Sequence, residues 1–401
     1  MIVRTALMAG LFSFLCSCGG STPETRTTAA LRDTVPQHPD ERPAGEAPAG
    51  MVWIPGGEFT MGTDDPIGRP EEKPAHRVRV HGYWMDSTEV TNAQFEVFTK
   101  ATGYKTDAEK APTVEEILAN SPPGTPAPDP ALMVPGSLVF TPPAEEVPLD
   151  DWTQWWSWMP GADWKHPEGP GSTITDRMDH PVVHISWRDA VAYCAWAGKR
   201  LPTEAEWERA ARGGVDDQLF VWGNDKPSDT LVKCNSFQGV FPMRNTKVDG
   251  YASTAPVGHY YANGFGLYDM AGNVWEWCSD WIDVTAYGKC EPHSTQRDPK
   301  GPAKSFDPEH PYEKRRAQRG GSFLCHDSYC DRYRPSARQG STEDSGMSHV
   351  GFRCVRDAEA VKWSVGPANS PGRSPALRVN RLRDLAVFGQ GKEIRGAASQ
   401  L

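Results

Sequence analysis

HPVVHISWRDAVAYCAWAGKRLPTEAEWERAARGG, residues 180–214, contains two helix starts and two helix stops in one short span. Ser186 opens the first helix. Trp187, Val191 and Cys194 follow at spacings of four and three, which puts them on one face, and Gly198 marks the end. Thr203, with Glu206 three residues on, forms a capping box for the second; Trp207, Ala210 and Ala211 point inward and Gly213-Gly214 stops it. Upstream, Thr91 and Gln94 form another capping box, with Val90 and Phe95 in staple positions and Gly103 as the stop. These helices are short. Short apolar runs at 51–54, 77–80 and 351–355 sit among turns and predict small strands, so the fold class is an irregular α+β domain with little regular secondary structure.

The 401 residues are 38% hydrophobic and 23% charged, enough for a sizeable core. Fifteen Trp, fourteen of them between Trp53 and Trp281, require partners for their indole N–H groups and exclude a disordered chain. With 38 Gly and 36 Pro, loops are abundant. A net charge of −10 and the absence of a long Lys/Arg block argue against nucleic acid as a partner. Residues 111–148, thick with Pro and acidic or small residues, predict a long surface excursion able to frame a groove. After Asp357 aromatics nearly cease, and 358–401 read as an appended tail.

The chain opens like an exported protein. Arg4, the apolar run 6–15 and the small residues after it read as a secretory signal, too short to span a bilayer. LCSC at 15–18 resembles a bacterial lipobox, which makes Cys18 the lipid-bearing residue, 1–18 a lipoprotein signal and 19–50 a solvated tether. The expected location is the periplasmic face of a bacterial membrane.

Nine cysteines matter in that compartment. With Cys16 removed and Cys18 lipidated, seven remain, an odd number that cannot all pair internally. Cys325 and Cys330 lie five apart in RGGSFLCHDSYCDRYRPSAR, residues 319–338, with Arg332, Arg334 and His326 close in sequence to favour thiolate. Two soft thiolates without further soft ligands suit Cu(I) rather than zinc. A structural Cys325–Cys330 disulfide is the more ordinary reading of the spacing alone, and spacing does not decide.

The surrounding text goes further. Residues 51–356 resemble the formylglycine-generating enzyme family, the sulfatase-modifying factors, through MVWIPGGEFTMGTDD, DSTEVTNAQFEVF, GADWKHPEGPGSTI, the opening stretch, NGFGLYDMAGNVWEWCSDW, RGGSFLCHDSYCDRYRPSAR and GFRCVRD. The resemblance implies a single domain of C-type-lectin-like type over 51–357. It also implies a copper-dependent oxidase that converts the Cys of a Cys-x-Pro-x-Arg segment in an unfolded or nascent sulfatase to Cα-formylglycine, consuming O₂. On it, Cys325 and Cys330 hold Cu(I), the client cysteine is the third sulfur ligand, and Ser322 and His326 line the site.

The resemblance further implies two Ca²⁺ sites. Asn235, the Ser236 carbonyl, Asp249 and the Tyr251 carbonyl form one; Asp269, the Gly272 and Val274 carbonyls and Glu276 form the other, mixed oxygen sets of the kind calcium takes. It implies a Cys194–Cys354 disulfide, while a second bridge of relatives falls on Ala211 and Pro335, so both of its cysteines are missing together. Cys278 and Cys290 are then free to bridge each other, with Cys234 left over. The chain is expected to be a monomer. Two rivals are a non-catalytic, surface-anchored binding module on the same scaffold, and an oxygen-using enzyme that makes a sulfoxide on a small thiol; the latter depends on a His cluster that the sequence does not contain.

Overall fold

The computed structural model describes residues 40–358 apart from 41, 44, 45 and 229. The signal, the lipobox with Cys18, most of the tether and the tail beyond Ala358 lie outside the described residues. The end of the stretch read as a tether is attached to the domain: Asp40 pairs with Arg79, Arg42 lies over the Trp84 ring, and Ser87 donates to the Gly50 carbonyl. Among the described residues no helix is long and apolar enough to cross a membrane.

Among the described residues four α-helices, short 3-10 turns and small sheets make up the α+β fold. Helix α1 (Asn92–Thr102) starts at the Thr91–Gln94 capping box and ends at Gly103, whose φ of 69° is the left-handed conformation glycine allows. Helix α2 (Val114–Ala119) falls inside the region read as a loop, as does the strand Gly136–Phe140. Thr113 and Glu116 form a capping box there, a local signal masked by the surrounding prolines.

Helix α3 (Trp187–Trp196) begins at Ser186 as expected, but its inner face differs. Ala190, Tyr193 and Cys194 are buried, whereas Val191 is 36% exposed. Tyr193 stacks with Phe95 at 5.8 Å and meets Phe352 edge-on at 5.3 Å, so the aromatic layer fixes the helix's rotation. Helix α4 (Glu204–Ala211) keeps Thr203 and Glu206 as its capping box and is enclosed almost all round; Glu204 and Glu208 are buried beside Trp207, Ala210 and Ala211. Their charges are met by Arg319, Arg338 and Arg212.

The run 351–355 is not one strand. Val350–Gly351 pairs parallel with Trp275–Trp281, and Val355–Asp357 pairs antiparallel with Tyr83–Asp86 in another sheet. Met51–Ile54 flanks the same Tyr83–Asp86 strand on its other side. The functional region rests on the four-stranded sheet, in which Arg315–Arg319 lies between Arg338–Thr342 and Trp275–Trp281.

Candidate active site

The strand Arg315–Arg319 runs directly into the turn that carries the cysteine pair. Gly321, at φ 74°, packs so close to the Arg332 carbonyl that a Cβ would sit 2.9 Å from it, which brings the two ends of the turn together. The Cys325 amide then donates to the Ser322 carbonyl at 2.9 Å, and the Cys330 amide to the His326 carbonyl at 2.7 Å. The result is two buried sulfurs 2.7 Å apart. Burial pushes the Cys325 thiol up. Cys330 is held below the ordinary thiol range, first by the hydrogen bond from Cys325 and, against burial, by the nearby Arg332 charge.

The pair sits in an open cleft of about 440 Å³. Trp155, Trp156, Tyr329 and Phe241 form an aromatic wall, with the Tyr329 and Phe241 rings stacked at 4.9 Å, and Trp152 stands 52% exposed at the rim. Ser322 is in place: its amide approaches Cys325 Sγ at 3.4 Å, its Oγ accepts from the Leu324 amide at 3.2 Å, and it shares a 3.1 Å hydrogen bond with His349 Nδ1. His326 is not on this wall. Its Nδ1 accepts from the Ser328 amide and meets Ser328 Oγ at 2.8 Å, and the residue lines a neighbouring depression with Cys234. The turn's own need for a cap takes the ring, while its carbonyl holds Cys330.

Sequence reading missed His349, Gln318 and the aromatic wall. His349 meets Trp156 edge-on at 4.7 Å, and burial, then the His184 charge, push its pKa down to about 3, so the ring is neutral. The only signal for the wall was the Trp cluster 152–158, which lies just past the region read as framing a groove.

Of the two oxygen sets, the first is drawn together by its loop. Asn235, Ser236 and Asp249 are buried; Asp249 accepts from the Tyr251 amide at 3.0 Å and from Gln238 at 3.1 Å, and burial raises its pKa. In the second, Asp269 Oδ1 is buried without a partner, and so is Oε2 of Glu89, a residue that no motif singles out. Burial raises both carboxyls, each in the other's neighbourhood. Two unpartnered buried carboxylate oxygens suit a hard cation. Glu276 is held in place by Arg353, which donates to it through two nitrogens at 2.7 Å, and by Trp207 at 2.8 Å. Among the described residues no three His, Cys, Asp or Glu side chains gather to hold a metal, so either set needs backbone carbonyls. Gly272, where a Cβ would lie 2.2 Å from the Asn235 carbonyl, joins the two loops, and its amide donates to the Gly320 carbonyl at 2.9 Å.

Cys194 and Cys354 face each other in the core, sulfur to sulfur at 2.9 Å. Cys278 and Cys290 do not meet: Cys278 is in the core, whereas Cys290 Sγ accepts from Gln296 at 2.9 Å. Cys234 is buried, which pushes its thiol up to about 12 and leaves it inert.

An open, aromatic-walled cleft over a buried dithiol on an α+β scaffold defines an enzyme site for thiol chemistry. A family model described as "Sulfatase-modifying factor enzyme 1-like domain" matches residues 36–358, and the chain belongs to that family. It is 49% identical over 314 residues to a formylglycine-generating enzyme of Thermomonospora curvata, covering 78% of this chain and 95% of that one. It is 43% identical over 366 residues to the Bos taurus formylglycine-generating enzyme, covering 87% and 88%. A Mus musculus relative named inactive C-alpha-formylglycine-generating enzyme 2 is 37% identical, covering 78% and 87%.

Proposed function

We propose that this chain converts a cysteine of unfolded or nascent sulfatases to Cα-formylglycine, with O₂ as oxidant and Cu(I) held by Cys325 and Cys330. Because relatives include one named inactive, family membership alone does not carry the activity. The observation that carries it is the buried cysteine pair opening onto a cleft wide enough for a peptide. The pair fits copper by its chemistry: two soft sulfurs, one easily deprotonated, with the client thiol to complete the set. Bound Cu(I) supplies the electron-transfer chemistry toward O₂. The chain's own residues bind and position: the Trp155, Trp156 and Tyr329 wall offers an apolar face, and Ser322, held by Leu324 and His349, offers a fixed hydrogen-bonding group beside Cys325. The test is mass spectrometry of a Cys-x-Pro-x-Arg peptide incubated with protein, copper and O₂; an unchanged thiol with copper-loaded protein would overturn the reading.

Calcium is proposed at the Asn235–Asp249 loop and beside Asp269, where Glu89 joins the set. Asp249→Ala and Asp269→Ala are expected to remove most of the ion's stabilisation, about 2–3 kcal/mol at roughly 100 times Kd, and to cost much less in chelator. Thermal melts in both conditions read this out, and equal losses would show that the residues act without the ion.

Cys194 and Cys354 are proposed to be oxidised to a disulfide in the exported protein. They stand 160 residues apart, and closing such a loop contributes on the order of 4 kcal/mol in the chain-entropy picture. Peptide mapping without reduction should recover the linked pair; alkylation of both thiols in folded protein would refute it. The lipid anchor at Cys18, the periplasmic location and the monomeric state complete the proposal, motivated by the signal and lipobox sequence.

A further inference from the structure

The cleft floor contains a hydrogen-bond chain with a forced direction. Arg332 Nη2 donates to Glu71 at 3.2 Å, Arg332 Nη1 donates to Gln339 Oε1 at 3.4 Å, and Gln339 Nε2 donates to Gln318 Oε1 at 2.9 Å. A guanidinium only donates, so Gln339 must turn its oxygen toward Arg332 and its NH₂ toward Gln318. Gln318 must answer with its oxygen. Turning either amide over would set NH₂ against NH₂ or leave the guanidinium facing a donor. Gln318 and Gln339 lie directly opposite on antiparallel strands, which holds the pair in register.

Two donors of this chain are left over, Arg332 Nε and the Gln318 amide nitrogen, and the Gln318 nitrogen is the one whose direction the chain sets. The residue is 1% exposed and lines the cleft with Ser322, Cys325 and Cys330, yet its Nε2 has no partner. A buried donor without a partner is costly, and a ligand carrying an acceptor relieves that cost. Formal charge is already balanced nearby, since Arg332 is paired with Glu71 and Arg315 with Asp307 and Glu313. A neutral oxygen therefore matches the site better than an anion. An extended peptide presents such oxygens at every residue.

We propose that Gln318 binds a backbone carbonyl oxygen of the client peptide close to the reacting cysteine, with Arg332 and Gln339 serving to aim its amide. The proposal rests on the sulfatase-client reading, and binding is measured separately from turnover so that the two can fail separately. The probe is a Cys-x-Pro-x-Arg peptide with Ser in place of the Cys, in which each carbonyl oxygen in turn is replaced by the poorer acceptor sulfur of a thioamide. For the unaltered protein, calorimetry should find one position near the Ser where the exchange raises Kd about tenfold. Gln318→Met should raise Kd of the all-oxygen peptide by a similar factor and make that position insensitive, with copper titration unchanged. Gln339→Met, which leaves the amide present but unaimed, should fall between.

If no thioamide position matters in the unaltered protein, or if Gln318→Met keeps both the affinity and the position effect, the proposal is wrong. The scan on the unaltered protein decides even if the variant fails to fold. Binding with the expected pattern but no aldehyde from the Cys peptide would sink the oxidase reading and leave the carbonyl contact standing.

Discussion

Cys325→Ser or Cys330→Ser is expected to abolish turnover, on the order of a thousandfold or more, together with Cu(I) binding, while the fold is retained. A serine hydroxyl is hard and stays protonated where a thiolate is needed, and it fits the space of the sulfur it replaces. The two serine variants should be equally dead, because the proposed Cu(I) site needs both sulfurs. A structural bridge would behave otherwise: its loss would lower stability, and the folded fraction would still bind copper and react. Copper titration and aldehyde formation on the same folded samples separate the cases, and wild-type turnover by Cys325→Ser would end the mechanism.

Glu204→Ala should be the most destabilising single change outside the cysteines. Glu204 meets Arg319 at 3.1 Å and Arg338 Nε at 2.9 Å, all three side chains being at most 3% exposed. Removing the carboxylate strands Arg338 and leaves Arg319 with Glu208 as its remaining carboxylate, a loss of about 3–5 kcal/mol. Burial alone would raise the Glu204 carboxyl, but Arg338 and Arg319 overcome it and hold the pKa below its ordinary value. A depressed folded pKa means the contribution is complete above the unfolded value near ~4.3 and is lost as pH falls through the folded value. Urea unfolding should therefore show a large gap between wild type and Glu204→Ala at pH 7 that narrows in acid; a gap under about 1 kcal/mol at pH 7 would contradict this account.

What was legible in the sequence follows the range of the interaction. The Thr91–Gln94, Ser186–Asp189 and Thr203–Glu206 capping boxes close within three residues, so α1, α3 and α4 were readable at their starts. The rotation of α3 was not, because Phe95 and Phe352 choose between Val191 and Tyr193 from far along the chain. The Cys325–Cys330 turn was legible as a pair. Its setting was not: His349 reaches Ser322 from 27 residues away, and Glu89 reaches the 269–276 loop through Asn273 from 184 away. The strand Gly136–Phe140 hid among prolines because its partner, Trp156–Pro160, supplies the pairing that local composition lacks. His326 shows the converse, since its ring is held by a partner two residues away.

The strand Tyr83–Asp86, with Met51–Ile54 on one side and Val355–Asp357 on the other, has a consequence for how the chain comes off the ribosome. The first and last strands of the domain belong to one sheet, so its ladder stays incomplete until residue 357 has been made. Almost every residue must be synthesised before the fold can close, and a high contact order makes that closure slow. A premature stop just before Val355 would remove not a ragged end but one edge of a sheet begun three hundred residues earlier.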